Sequence, residues 1–201
     1  MLSLLDAHAF ARELFAVEVS ETGISAIKSK KISLLREAQL FDGYRIPYPD
    51  KYFDLAIAIH VIEHVEHERL FLKEMNRVAR HIWIEVPLEH GFRIRRAIAV
   101  GRKYGHINFY SKETLQSLLE SVGFKVLKCK VRSASLEYDQ YLSGKIKGWI
   151  KNIARRIALI VAPNLAPRVI AYNGFAHCEC TNITLEADRH DLPKKKGSDP
   201  N

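Results

Sequence analysis

Phe53-Asp54-Leu55-Ala56-Ile57-Ala58-Ile59, running directly into His60-Val61-Ile62-Glu63-His64-Val65-Glu66-His67, decides the fold. The first seven residues are almost continuously apolar, the signature of a strand buried on both faces, and so predict the central strand of a parallel sheet. The preceding stretch, Ile46-Pro47-Tyr48-Pro49-Asp50, is barred from helix because each proline fixes its own φ and restricts the residue before it. It reads as a surface loop feeding the strand. A helix is expected from about Glu66 to Arg80, with Leu70, Met75 and Val78 facing inward and charges outward.

Working outward, Phe15 to Val19, Ile32 to Leu35, Leu55 to Ile59, Ile82 to Val86 and Phe124 to Val131 read as strands that alternate with helical patterns. That rhythm predicts an α/β fold, a mostly parallel sheet with helices on both faces. The clearest helix starts after Ser111, a good N-cap, carries Leu115, Leu118, Leu119 and Val122 at helical spacing, and stops at Gly123. Beyond Val131 the pattern changes. Tyr141 to Val161 is helical and basic, Pro163 and Pro167 end it, and Val169 to His177 reads as a last strand. The 201 residues, 47% hydrophobic, suit one packed domain over 1–180 with a helical lid or insertion at 137–168. The polar tail over 188–201, with Lys194-Lys195-Lys196, is expected to be disordered.

No run of eighteen apolar residues occurs, so no spanning helix is expected, and Met1-Leu2-Ser3-Leu4-Leu5-Asp6 lacks the basic and apolar regions of a secretory signal. The three cysteines, Cys129, Cys178 and Cys180, are odd in number, and Cys-Glu-Cys is not a zinc spacing. They read as reduced, mostly buried thiols in a cytoplasmic protein, soluble or peripheral to a membrane. The net charge is +8, and much of it is local. Between Gln140 and Cys178 there is no acid, while Lys145, Lys147, Lys151, Arg155, Arg156 and Arg168 all fall inside.

In doubly wound sheets, ligands sit at the carboxyl ends of strands. Three such ends carry candidate chemistry. Glu18, with Val19 beside it, closes Ala16-Val17-Glu18, where a carboxylate accepts both hydroxyl hydrogens of a ribose; a solvated strand-end acid fits the same position. Asp42-Gly43 combines a carboxylate, able to accept from an exocyclic amine, with a glycine that permits close backbone approach. The same pair also forms a turn. The third end is His60 to His67. His60 and His64 share a spacing of four, but the His-Glu-x-x-His order of a zinc peptidase is absent and no metal site is expected. A strand-to-helix turn whose imidazoles bond to backbone or carboxylates explains the same residues.

Ile46-Pro47-Tyr48-Pro49-Asp50-Lys51-Tyr52-Phe53-Asp54-Leu55, then Val61-Ile62-Glu63-His64-Val65, Glu85-Val86-Pro87, Gly105-His106-Ile107-Asn108-Phe109-Tyr110-Ser111 and Ser117 to Phe124 together resemble class I S-adenosylmethionine-dependent methyltransferases of the type 11 and ubiquinone-biosynthesis group. The resemblance covers about residues 1 to 131. It implies a Rossmann-like sheet and S-adenosylmethionine as cofactor, with Glu18 and Val19 at its ribose, Asp42 and Gly43 near its adenine, and His60 beside it. It also implies transfer of a methyl group to an unidentified small-molecule or lipid-like acceptor. His64 and His106 are the candidate bases where the acceptor must lose a proton, and His64 also suits a structural role in its turn.

The family begins with a strand and glycine-rich turn that this sequence does not show. Leu2 to Leu14 match the helix that would follow, and every glycine lies at Gly23 or beyond. The family's strand order, 3-2-1-4-5-7-6, puts the first strand between those ending at Glu18 and Ile59. The expectation is therefore a fold lacking its first strand, from a shortened or naturally truncated form of a longer enzyme. A non-catalytic methyltransferase-like partner or scaffold is the alternative. Nucleic-acid binding fits the basic segment poorly, because Ile146, Trp149, Ile150, Ile153 and Ile157 form an apolar stripe beside the cations. That pattern suits a lid, a partner groove or an anionic membrane surface over 143–160, or else a core-packed helix with a solvated basic face. Arg93, Arg95, Arg96, Arg102 and Lys103 are candidates for an acidic acceptor group, and solvated surface cations fit the same positions. The sequence sets neither the acceptor nor the oligomeric state.

Overall fold

Among the described residues, six strands form in two groups. β1 (Leu14–Glu18) and β2 (Leu35–Leu40) make a parallel ribbon in which Ala16 lies opposite Ala38 and Glu18 opposite Leu40. β3 (Phe53–Ile59) pairs in parallel with β4 (Ala79–Leu88), and β5 (Phe124–Arg132) joins through the antiparallel β6 (Tyr172–Cys180), giving the order β3-β4-β6-β5. Within these four only β6 is reversed, which is the expected doubly wound, mostly parallel α/β arrangement. The computed structural model describes residues 1–92 and 94–181. Arg93 and the tail expected over 188–201 lie outside the described residues.

Eight α-helices occur among the described residues: α1 (Leu2–Ala7), α2 (Glu21–Lys28), α3 (Glu68–Val78), α4 (Ile94–Gly101), α5 (Lys112–Ser121), α6 (Leu136–Ser143), α7 (Lys145–Val161) and α8 (Ala166–Val169). The core joins Leu72, Met75 and Val78 of α3 to Ile82, Ile84 and Val86 of β4 and to Leu115 and Leu119 of α5. Each is almost wholly withdrawn from water, contributing about 2 kcal/mol apiece by area. Ser111 caps α5 as its sequence signals. Its hydroxyl accepts from the Thr114 amide while the Thr114 hydroxyl accepts from the Ser111 amide.

Several expectations need correction. β3 is an edge strand rather than a central one, because no backbone pairing joins it to β1; apolar pattern reports a strand's faces, not its edges. The second strand runs over Leu35–Leu40 rather than Ile32 to Leu35. Arg36, Glu37 and Gln39 conceal it by their polarity. The first helix stops at Ala7, short of Leu14. The helix expected from Glu66 to Arg80 is two residues shorter at each end, and Leu70 points outward at 53% exposure while Phe71 and Leu72 enter the core.

The helix expected over Tyr141 to Val161 breaks at Gly144, whose φ of +82° suits glycine. The resulting α6 and α7 lock through a polar seam. Gly148 of α7 sits where a Cβ would come within 2.5 Å of the Asp139 carbonyl oxygen. Asn152 and Arg155 both donate to the wholly buried Asp139 carboxylate, at 3.1 and 2.9 Å, and Lys151 lies 3.2 Å from it. Packing by its polar side leaves the apolar stripe of α7 facing out. Ile146, Trp149, Ile150 and Ile157 are each more than half exposed, which rules out the core-packed reading of this helix.

Candidate functional site

The two candidate acids stand at neighbouring strand ends. Glu18 is the last residue of β1, and its Oε1 accepts from the Val19 and Ser20 amides at 3.0 and 3.1 Å and from the Ser20 hydroxyl at 3.2 Å. Gly23 lets the start of α2 close over this carboxylate, since a Cβ there would lie 2.5 Å from Glu18 Cγ. Just past β2, Asp42 Oδ1 accepts from the Tyr44 and Arg45 amides at 2.8 and 2.7 Å. Those two amides, the Tyr44 bond first, hold the Asp42 carboxyl below its ordinary range. Phe41 N donates to Glu18 O, and Gly43, with φ +92°, lies beside Val19. In each acid one oxygen orients the loop, and the other has no donor among the described residues.

Past β3 the chain turns sharply. His60 takes φ +54°, an uncommon value for a residue with a Cβ. Its amide donates to the Glu85 carbonyl at 2.8 Å, and its Nδ1 lies 3.1 Å from Glu63 Oε1. That contact raises the His60 pKa against the opposing effect of burial. Glu63 follows in the single turn Ile62–His64, is 0% exposed, and its Oε2 has no hydrogen-bond partner among the described residues.

The segment Gly105 to Tyr110 straps over this turn. Ile107 and Asn108 amides donate to the Glu63 carbonyl, and the Asn108 side chain donates to the Ile62 and Val65 carbonyls at 2.9 and 2.7 Å. The strap brings His106 against His64, with ring centroids 4.9 Å apart. His106 Nδ1 lies 2.7 Å from Glu89 Oε2, and His64 Nδ1 lies 3.1 Å from the Gly105 carbonyl. Because a carboxylate and a carbonyl only accept, each Nδ1 carries a hydrogen, and in the neutral imidazole the lone pair then lies on Nε2. Structure thus joins His64, His106 and His60 around Glu63. Sequence reasoning missed Glu63 and Glu89 as site residues; the only signal was their place just after strands β3 and β4. Arg95, Arg96, Arg102 and Lys103 are exposed.

Between β1 and β3 lies a groove of about 1460 Å³, lined by Leu14 to Val17 on one side and Phe53 to Ile57 on the other, with Phe71, Met75 and Val78 at its floor. It occupies the place where the resemblance puts a first strand. Aromatic contacts bridge one end, with Phe15 packed against Tyr48, Tyr52 and Phe53.

The fold is a doubly wound, mostly parallel sheet of the class I methyltransferase kind, and the comparisons agree on the fold. The "Methyltransferase domain" family matches residues 1–128, and the chain belongs to that family. Ajmaline N-methyltransferase of Rauvolfia serpentina is 50% identical over 38 residues, which cover 19% of this chain and 13% of that protein. Among solved structures, geranyl diphosphate methyltransferase in complex with S-adenosylmethionine superposes with a TM-score of 0.63 at 9% identity, over 89% of this chain and 73% of that one. The [4+2]-cyclase SpnF superposes with a TM-score of 0.56 at 14% identity, over 83% of this chain and 66% of that one. At such identities the likeness is one of fold, and SpnF shows that this fold also serves a different reaction.

Proposed function

We propose that this chain binds S-adenosylmethionine and transfers its methyl group to a small-molecule or lipid-like acceptor. The observation that carries the reading is the pair Glu18 and Asp42. Two carboxylates at the ends of adjacent parallel strands, each with one oxygen fixed by its own turn and the other open, fit a ribose diol and an adenine amine. The residues present therefore fit the adenosine half of the cofactor, while the glycine-rich turn that the resemblance implies for its methionine half has no counterpart among them. When bound, the cofactor supplies a methyl group activated on a sulfonium. The chain's own part is to position: Glu18 and Val19 fix the ribose, Asp42 and Gly43 the base, and His60 borders the cofactor at the end of β3. His64 and His106, each with Nε2 free, take up the acceptor's proton where one must leave. Equilibrium binding of tritiated S-adenosylmethionine to the purified chain tests this. Saturable one-to-one binding supports it, and its absence favours a non-catalytic scaffold of the same fold.

The outward face of α7 supports a second element of this reading, an anionic membrane as the place where a lipid-like acceptor is met. At about 100° per residue, Ile146, Trp149, Ile150, Ile153, Ile157, Ile160 and Val161 span an arc of roughly 120°. Lys145 and Arg156 flank one side of it and Lys147 and Lys151 the other, opposite the Gly148–Asn152–Arg155 seam that grips α6. That is the arrangement of a helix lying in a lipid interface, and no acid interrupts it from Gln140 to Cys178. No helix among the described residues is long and apolar enough to cross a membrane.

A further inference from the structure

We propose that Glu63, His64 and His106 bind one divalent transition-metal ion at the acceptor side of the site; the inference rests on the reading of these histidines as acceptor-facing. One ligating atom from each residue lies within 4.8 Å of the other two. Ligand atoms about 2.1 Å from a common ion stand roughly 3.4 Å from one another, so loading draws the three side chains together by about an ångström.

Two independent features point to a cation. The first is Glu63 Oε2. It belongs to a side chain with 0% exposure and has no donor among the described residues, a costly arrangement that a bound cation would offset. The second is the outer shell. His106 Nδ1 is held by Glu89 at 2.7 Å, His64 Nδ1 by the Gly105 carbonyl at 3.1 Å, and Glu63 Oε1 by His60 at 3.1 Å. Each of the three side chains is thus tied through one polar atom, leaving His64 Nε2, His106 Nε2 and Glu63 Oε2 without a partner among the described residues, the pattern in which metal-binding imidazoles and carboxylates are held by neighbours through their other atom. Asn108 fixes the whole turn from outside.

Two imidazoles and a carboxylate suit zinc, iron(II) or manganese(II), and three protein ligands leave coordination positions open to an oxygen donor. The acceptor class that follows is a hydroxyl compound. Coordination would lower the pKa of its hydroxyl and let its proton pass to water, so that in the loaded chain His64 and His106 would hold the ion and would serve as bases themselves only in the metal-free chain.

Titration of the tag-free, chelator-stripped full chain with cobalt(II), followed by visible absorption, tests the site. One equivalent is expected to give a saturating d–d band that zinc displaces. His64→Ala, His64→Gln and His106→Ala should each weaken binding at least tenfold, Glu63→Gln likewise, and Glu89→Gln tenfold or more through His106. His90→Ala, an exposed histidine outside the cluster, should change nothing. Because His64 is exposed, its variants keep the test open even if the buried Glu63→Gln fails to fold. No stoichiometric band, or a band unchanged in the His64 and His106 variants, overturns the proposal. Binding of S-adenosylmethionine measured on the same samples separates the two readings. Cofactor binding without metal sinks only the metal site, and metal binding without cofactor supports the site while sinking the methyltransferase reading.

Discussion

Phe15 and Phe53 pack with ring centroids 5.4 Å apart at 57°, yet the strands that carry them, β1 and β3, share no backbone hydrogen bond. Side chains therefore hold the ribbon to the main sheet at one end of a groove whose two walls are strand edges. Edge amides without a strand partner exchange with solvent far faster than ladder amides. Hydrogen exchange should find β4 and β6, each paired on both sides, as the best protected strands, while the β3 amides not bonded to β4 exchange orders of magnitude faster. Equal protection of β3 and β4 would show that the groove is closed in solution.

Arg77 organises the proline loop that leads into β3. Its guanidinium donates to Glu74 Oε1 and Oε2 at 2.6 and 2.9 Å, to Asp50 at 2.7 Å, and to the Ile46 and Tyr48 carbonyls, both at 2.9 Å. A lysine cannot reproduce that fork. Arg77→Lys should lose about 2 kcal/mol in urea unfolding. A change below about 0.5 kcal/mol would mean that the loop is held by its prolines alone.

The seam between α6 and α7 makes acid stability testable. Burial alone would raise the Asp139 pKa, but the Asn152 and Lys151 bonds and the Arg155 charge outweigh it and lower it. A lowered folded-state pKa gives stability that is present above the ordinary carboxylate range, near pH 4, and lost as pH falls through the folded value. Trp149 fluorescence should report loosening of α7 below about pH 4. Asp139→Asn should remove that pH dependence and cost about 3 kcal/mol at neutral pH, since it leaves Arg155 without its counter-charge.

Much of this was legible in the sequence, and the failures have physical causes. The Ser111 cap, the β4 and β5 patterns and the Glu18 and Asp42 strand ends are local signals, carried by a few adjacent residues. Leu35–Leu40 was missed because a strand paired on one side tolerates Arg36 and Glu37 on its surface. The break at Gly144 depends on α6 and α7 folding back over Asp139, which no periodicity records. The meeting of His64 with His106 and Glu89 is made by the Asn108 strap across the sheet's end, so the histidines were visible as candidates but their cluster was not.

Membrane association follows from the outward stripe of α7. Co-sedimentation with vesicles containing anionic lipid, whose negative surface attracts basic segments, should retain the chain, and neutral vesicles should not. Trp149→Ser together with Ile146→Ser should release it, as should high salt. Retention that ignores lipid charge would reject the interface.

The most direct test of the central claim is calorimetric titration of the chain with S-adenosylhomocysteine, the demethylated cofactor, beside Glu18→Gln and Asp42→Asn. The account predicts one-to-one binding, weakened at least tenfold by Glu18→Gln through the lost ribose contact, about 1.4 kcal/mol, and less by Asp42→Asn. No saturable binding, or binding that neither substitution alters, would contradict it.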